Sequence, residues 1–421
     1  MTFCFVHAAD LHLDTPFSGI RGVDQRVGEA LREASLQAFD ALVDLAIERD
    51  AAFVLFAGDI YDGPDRGVRA QIRFRNGLER LGEKGIRSFV VHGNHDPVAK
   101  GWSAIGNVWP ELVKVFEPGK VDRVVVEKNG QPIATVHGIS YRQEKETENL
   151  AALFDAGDSP GLRVAMLHCN VGGLPGHASY APCSEKDLLR SGFDYWALGH
   201  VHQKQTLRDG NPWIVYPGNT QGRDPGELGP KGALVVSAGG RTVSEPEFVP
   251  LDVVRFERID LDISPYTDLA SLQRALADGA QSLAASADGR SVLVRGVLTG
   301  RGSIHRDLMH EKRLEELLQS LRDDAGEGEP FIWWEDLRDE TRSEVDLDAL
   351  RKGKDFAAEL LAAADELLTD ETAREDFARQ ALAALPAGAL EGMGVEVPSG
   401  ADPGRLQDAA SMALDLLAGD E

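Results

Sequence analysis

Apolar residues come in short runs that stop abruptly at glycine, histidine or an acid, and between those runs the period lengthens from about 2 to about 3.6. The short runs read as strands: Phe3 to Ala8, Phe53 to Phe56, Ser88 to His92, Val164 to His168, Tyr195 to Gly199 and Trp213 to Tyr216. Helical spacing fills Gln25 to Glu48 and Gly67 to Lys84. Such alternation over residues 1–250 predicts a layered α/β fold. Past Pro250 the pattern changes. Val253 to Ile263, a helix around Leu269 to Ala285, Ser291 to Leu298, a helix around Asp307 to Leu321 and Pro330 to Leu337 predict β-α-β-α-β, a small α/β domain over 251–342. Residues 343–421 are rich in Ala, Leu and Glu. There Leu360, Leu361, Ala364, Leu367 and Leu368 recur at helical spacing, as do Leu406, Ala410, Ala413, Leu414 and Leu417. The stretch from Pro386 to Arg405, with five Gly and three Pro, reads as a linker.

A length of 421 residues exceeds what one core fills and agrees with this partition. No run approaches the roughly 18 apolar residues of a membrane span. The start, Met1-Thr2-Phe3-Cys4-Phe5, lacks the basic segment and cleavage site of a leader, so a cytoplasmic location is expected. Cys4, Cys169 and Cys183 are odd in number and have no metal-type spacing, which suits a reducing compartment; Cys169 reads as a buried thiol. The net charge of −25 opposes binding to a polyanion. Its distribution softens that objection. Residues 1–250 carry 26 Lys and Arg against 32 Asp and Glu, net −6, whereas residues 251–421 carry 18 against 37, net −19. Two bound dications would bring the first region to about −2.

Seven residues following apolar runs carry the candidate chemistry: Asp10, His12, Asp59, Asn94, His168, His200 and His202. Any one of their motifs could be ordinary turn chemistry; five in this order point to a two-metal phosphoester hydrolase. Two divalent cations about 3.5–4 Å apart serve in-line displacement at phosphorus, and they need a carboxylate that bridges them. Asp59, in the Gly58-Asp59 turn, suits that role. Asp10 and His12, two apart on an extended segment, are expected to share a face, and His200 and His202 to repeat that geometry. Asn94 and His168 complete a nitrogen and oxygen shell suited to manganese, iron or zinc rather than calcium. His95, not needed as a ligand, is free to protonate the leaving oxygen.

These motifs resemble the calcineurin-like metallophosphoesterase superfamily and, within it, the SbcD-like DNA repair exonucleases of the YhaO-like branch. The likeness spans about residues 1–250. Features favouring it are Gly58-Asp59-Ile60-Tyr61-Asp62 and Asp194 through Leu198-Gly199-His200-Val201-His202. It implies a β-sandwich flanked by helices, an α/β capping domain that helps to hold DNA, and a helical C-terminal tail. It assigns Asp10, His12, Asp59 and His202 to one metal, Asp59, Asn94, His168 and His200 to the other, and His95 to catalysis. Asp62 stands where some relatives carry histidine and is kept, with Asp96, as a residue supporting the ligands. The resemblance further implies manganese, with iron, zinc or magnesium as alternatives, and nuclease activity on DNA. Its C-terminal helices would dock an SbcC-type, SMC-like ATPase, or fold back on their own domain; a homodimer is among the assemblies it allows.

Candidates for substrate contact lie nearby. Arg66, Arg69, Arg73 and Arg80 fall near one helical face and could hold a DNA backbone. His177 and Tyr180 sit in the Gly- and Pro-rich loop between His168 and His200. His92 and His137 read as turn or packing residues. Two rivals remain: a small-molecule or cyclic-nucleotide phosphodiesterase or phosphatase, which suits the acidic surface, and a DNA-end-binding scaffold, against which the complete ligand set argues.

Overall fold

The computed structural model describes residues 1–15, 25–63, 67–98, 108–173, 180–310, 312–326, 328–342, 344, 350–383 and 402–418. The chain forms two compact units. One comprises Met1–Ile259, Leu276–Gly296 and Leu318–Leu337; the other comprises Asp260–Ala275, Val297–Leu317 and Arg338–Glu421. Segment 251–342 contributes to both.

In the first unit β1 (Thr2–Ala8), α1 (Gln25–Glu48), β2 (Phe53–Ala57), α2 (Val68–Glu83) and β3 (Arg87–Val91) follow the alternation predicted above, and the short β4 (Val113–Val115) adds a strand to it. Next come β5 (Asp122–Lys128), β6 (Gln131–Gly138), β7 (Leu162–His168), α3 (Glu185–Arg190), β8 (Tyr195–Gly199), β9 (Gln205–Arg208) and β10 (Trp213–Tyr216). Finally β11 (Gly232–Gly239), β12 (Thr242–Val243) and β13 (Glu247–Pro250) return to the first sheet. That sheet has the order β12-β11-β1-β2-β3-β4, with β13 also on β11; the second has the order β5-β6-β7-β8-β10-β9.

Period-two alternation decides the layering. On β2, Phe53 and Leu55 face the second sheet and join Phe5, Phe89, Val164, Met166, Tyr195 and Ala197 in the core between sheets. Val54 and Phe56 face the other way, against Phe39, Leu42 and Val43 of α1 and Phe74 and Leu78 of α2. Each fully buried Phe contributes roughly 1.5–3 kcal/mol. On its outer face the second sheet packs Leu167, Trp196 and Ile214 against Leu150, Phe154 and Leu188. The result is a helix, sheet, sheet, helix stack. The hydrophobic pattern passed over the β5–β6 hairpin, whose edge strand is half exposed. Its turn, Asn129-Gly130, has both φ angles positive (56° and 71°), the backbone that a two-residue hairpin turn requires.

β14 (Val254–Asp262), β15 (Ser291–Thr299) and β16 (Ile332–Asp339) form a third sheet in that order, with α4 (Leu269–Ser286) between the first two strands in sequence. The helix expected over Asp307 to Leu321 is two pieces, α5 (His305–Leu308) and α6 (Arg313–Ala325), and Lys312 between them has φ +67°. Of the adjacent tryptophans, Trp334 is buried, and Trp333 lies under the Arg322 guanidinium at 4.8 Å. Helices Phe356–Thr369 and Pro403–Ala418 occupy the two predicted repeats, and a further helix, Glu371–Ala383, lies between them in sequence; the linker expected from Pro386 to Arg405 falls mostly outside the described residues. Among the described residues no helix is long and apolar enough to cross a membrane.

Candidate metal centre

β1, β2 and β3 are parallel neighbours, as are β7 and β8, so the segments leaving their carboxyl ends gather at common edges of the two sheets. The backbone there is not strand. Asp10, His12, Asp59 and His200 have φ of 52°, 41°, 50° and 103°, four of the ten non-glycine residues with positive φ among the described residues. Strained backbone concentrated in one place is a mark of a functional site. It also corrects the expectation for Asp10 and His12: left-handed turns after β1, not two positions of an extended strand, bring them together. Hydrogen bonds from Asp10 N to Gly58 O and from His12 N to Asp59 O (3.0 and 3.1 Å) hold that turn against its neighbour. Two glycines make room. A Cβ on Gly58 would lie 2.3 Å from His168 Nδ1, and one on Gly93 would lie 2.3 Å from Asp59 Oδ1.

The seven candidate ligands converge in two lobes. In one, His12 Nε2 faces His202 Nε2 at 3.1 Å, and Asp10 completes a group of three. In the other, Asn94 Oδ1 lies 3.1 Å from His168 Nε2 and 3.2 Å from His200 Nδ1. Asp59 Oδ2 reaches both, 3.8 Å from His12 Nε2 and 3.3 Å from His168 Nε2. Asp10, His12, Asp59 and His168 are all buried.

Outer partners fix which nitrogen each ring turns inward. His12 Nδ1 donates to Asp62 Oδ1 (3.1 Å), His168 Nδ1 to Ala57 O (3.0 Å) and His202 Nδ1 to Glu227 Oε1 (2.6 Å). Each Nε2 is thereby presented to the centre, as metal-binding imidazoles require. Two Nε2 atoms at 3.1 Å cannot both present lone pairs unless a proton or a cation lies between them. The nitrogen and oxygen donors, their convergence and their burial therefore fit a pair of divalent metals.

The electrostatics agree. Burial pushes His12 down to about 4, against the opposing pull of Asp62 and Asp59. Burial acts on His168 in the same sense, but the charge and hydrogen bond of Asp59, with Asp10, outweigh it and raise the imidazole to about 9. Asp59 is held well below the carboxylate range, because His168 and His12 overcome its burial. Asp10 is raised to about 6, chiefly by burial.

His95 stands beside this core. Its backbone N–H donates to Asp59 Oδ1 (2.9 Å), and its Nδ1 is 3.2 Å from Asp62 O and 3.5 Å from Asp62 Oδ1. Asp62 thus touches both His12 and His95. Asp96 is fully buried and accepts from Ile60 N, His92 Nδ1 and Gly93 N, so it clasps the turns after β2 and β3. His92 takes part in that clasp, and His137 bonds Ser159 Oγ (3.0 Å). Cys169 is buried, its sulfur 3.8 Å from that of Cys183.

The α2 arginines differ from expectation. Arg69 pairs with Glu33, Arg73 with Asp40 and Arg80 with Asp44, all on α1, so the ladder is charge-compensated and is not a bare basic stripe. Arg66 and His177 lie outside the described residues. The Tyr180 ring is 5.7 Å from that of His200.

Sequence reading missed Glu227, Arg223, Asn219 and Tyr141. Asn219 Nδ2 (2.6 Å) and Arg223 N (2.8 Å) grip Glu227 Oε2, and the buried Tyr141 ring stands edge-on to His168. The available signal was the run Gln221-Gly222-Arg223-Asp224-Pro225-Gly226-Glu227: it follows β10, which is parallel to β8, just as the ligand turns follow their own strands. Glu227→Ala is expected to weaken divalent-metal affinity by about 10- to 100-fold, with Glu227→Gln milder because it still accepts from His202. Metal titration of the chelated protein reads this directly; parental affinity in both variants would leave Glu227 with no part in the centre.

Comparison with known proteins gives a consistent result. The calcineurin-like phosphoesterase family matches residues 4–204, and the middle domain of metallophosphoesterase YhaO matches residues 256–342. The chain is 35% identical over 343 residues to the uncharacterized metallophosphoesterase YhaO of Bacillus subtilis, covering 82% of this chain and 83% of that protein. It is 29% identical over 199 residues to the DNA double-strand break repair protein Mre11 of Thermoplasma acidophilum, 45% of this chain and 51% of the relative. For Mre11 of Halobacterium salinarum the figures are 24% over 302 residues, 68% and 71%.

Proposed function

Since this chain belongs to the calcineurin-like metallophosphoesterases, metal-dependent phosphoester hydrolases, we propose that its substrate is DNA and that it is a manganese-dependent nuclease working with an SMC-like ATPase. The observation that carries the reading is the two-lobed ligand cluster joined at Asp59, with His95 alongside. Likeness to Mre11 proteins supports DNA over other phosphoesters. The mixed nitrogen and oxygen donors suit manganese, iron or zinc alike; manganese is the choice that the family likeness favours. Exposed Phe356, Phe377 and Met412 on the C-terminal helices support docking of a partner there.

Bound divalent ions would supply Lewis acidity and charge neutralisation at phosphorus. Asp10, His12 and His202 would hold one, Asn94, His168 and His200 the other, and Asp59 both. His95 has its Nδ1 engaged on Asp62, so Nε2 is the nitrogen left to pass a proton to the departing sugar oxygen. Asp62 keeps that ring oriented.

A second reading, hydrolysis of a cyclic nucleotide or other small phosphodiester, is favoured by the pairing of the α2 arginines, which removes a ready track for a DNA backbone. One experiment separates the two: cleavage of labelled single- and double-stranded DNA with Mn²⁺, Mg²⁺ or chelator, beside cyclic nucleotides and a generic phosphodiester. Manganese-dependent cutting of DNA supports the nuclease. Turnover of small esters alone replaces it with the second reading.

A further inference from the structure

We propose that Arg223 binds the substrate phosphate: its guanidinium, anchored on Asp62 at the open side of the centre, supplies charge and hydrogen bonds to a non-bridging phosphoryl oxygen. The proposal rests on the phosphoester reading of the centre but not on DNA as the substrate. Burial locates the open side. Side chains of Asp10, Asp59, His12 and His168 are at most 2% exposed, whereas those of Arg223, His202, Asp62 and His95 are 22%, 22%, 28% and 38% exposed. Among the described residues these four, with the part-exposed Asn94, mark the open side of the centre. Arg223 is the cation among them.

Its position is shared with the chemistry. Asp62 Oδ1 accepts from Arg223 Nη2 (2.7 Å) and from His12 Nδ1 (3.1 Å), and it lies 3.5 Å from His95 Nδ1. A phosphate within reach of both His95 and a metal beside His12 is therefore close to the guanidinium. The loop is held in place, because Arg223 N donates to Glu227 Oε2 and Glu227 in turn binds His202. A donor preorganised in this way can stabilise developing charge with little reorganisation.

The guanidinium is also under-used. A structural arginine at this depth usually satisfies its five N–H donors. Here Nε is sealed from solvent without a hydrogen-bond partner, and the ion pair to Asp62 engages one terminal nitrogen. The planar fork matches phosphate oxygens better than an ammonium would. By contrast Arg69, Arg73 and Arg80 already face carboxylates of α1.

The test uses the full chain loaded with Mn²⁺, comparing parental, Arg223→Gln and Arg223→Lys proteins. Metal content is checked, inorganic phosphate affinity is measured by titration, and KM and kcat are measured for bis(p-nitrophenyl) phosphate. Loss of a charged hydrogen bond predicts phosphate affinity and kcat/KM lower by about 10- to 100-fold in Arg223→Gln, with partial recovery in Arg223→Lys and full metal content. In an Asp62→Asn background Arg223→Gln must lower phosphate affinity further. No further loss there, unchanged phosphate affinity, or loss of metal from both Arg223 variants would each overturn the proposal, leaving Arg223 as an anchor of Asp62 or of the centre. If the parental protein cuts no DNA while the variants still bind phosphate weakly, the nuclease reading fails and this one stands. If DNA is cut and phosphate binding is unchanged in Arg223→Gln, the reverse holds.

Discussion

Asp59→Asn should lose divalent-metal affinity by more than about 100-fold, beyond the usual 10- to 100-fold effect of an outer partner, because Asp59 Oδ2 contacts both lobes at once. Hydrolysis should fall with it. A second signature appears when the proteins are compared in chelator. Asp59 and Asp10 raise His168 from an ordinary value of 6.5 to about 9. A raised imidazole contributes stability fully below its unfolded pKa and loses it as pH climbs through the folded value. Asp59, depressed, contributes above the usual carboxylate pKa and loses that contribution only in acid. The stability deficit of Asp59→Asn should therefore be largest between about pH 4 and 6.5, on the order of 3 kcal/mol, and should shrink towards pH 9. Thermal melts across that range check the sign; a deficit that does not change with pH would break the ion-pair account, whatever the metal titration shows.

His95→Ala should have a narrower effect. The ring is part exposed and supplies none of the contacts that link the two lobes, so metal content should stay parental and stability should shift little. Removing a general acid lowers turnover by about 10²- to 10⁴-fold, and the loss should appear in kcat with KM near parental. Single-turnover cleavage with saturating metal separates this from weakened binding. A variant that turns over at the parental rate would take His95 out of the reaction, and one that loses metal would move it into the ligand set.

The seven candidate ligands were legible because each follows an apolar run at a strand's end, with turn residues such as Gly58, Gly93 and Gly199 beside several of them. How they reach one point was not. The left-handed backbone at Asp10 and His12 arises from hydrogen bonds to Gly58 and Asp59, almost fifty residues away, and no local periodicity announces it. The arginine ladder was read correctly as one face of a helix but not as neutralised. Its partners, Glu33, Asp40 and Asp44, also lie seven and four residues apart along one face of α1, and their effect depends on how two helices pack. Glu227 and Arg223 were hidden because charged residues in a Gly- and Pro-rich stretch look like turn chemistry until the loop is placed.

The amino-acid sequence by itself determined the alternation of strands and helices, the apolar run of β2 and the donor types available for metals, since these follow from side-chain chemistry and local period. Tertiary structure alone decided that Asp59 spans two lobes, that Asp62, Ala57 and Glu227 turn three imidazoles inward, and that Arg223 joins Asp62 at the open side. Those facts depend on distances between residues as much as 161 positions apart, which only the packing of two sheets brings within a hydrogen bond.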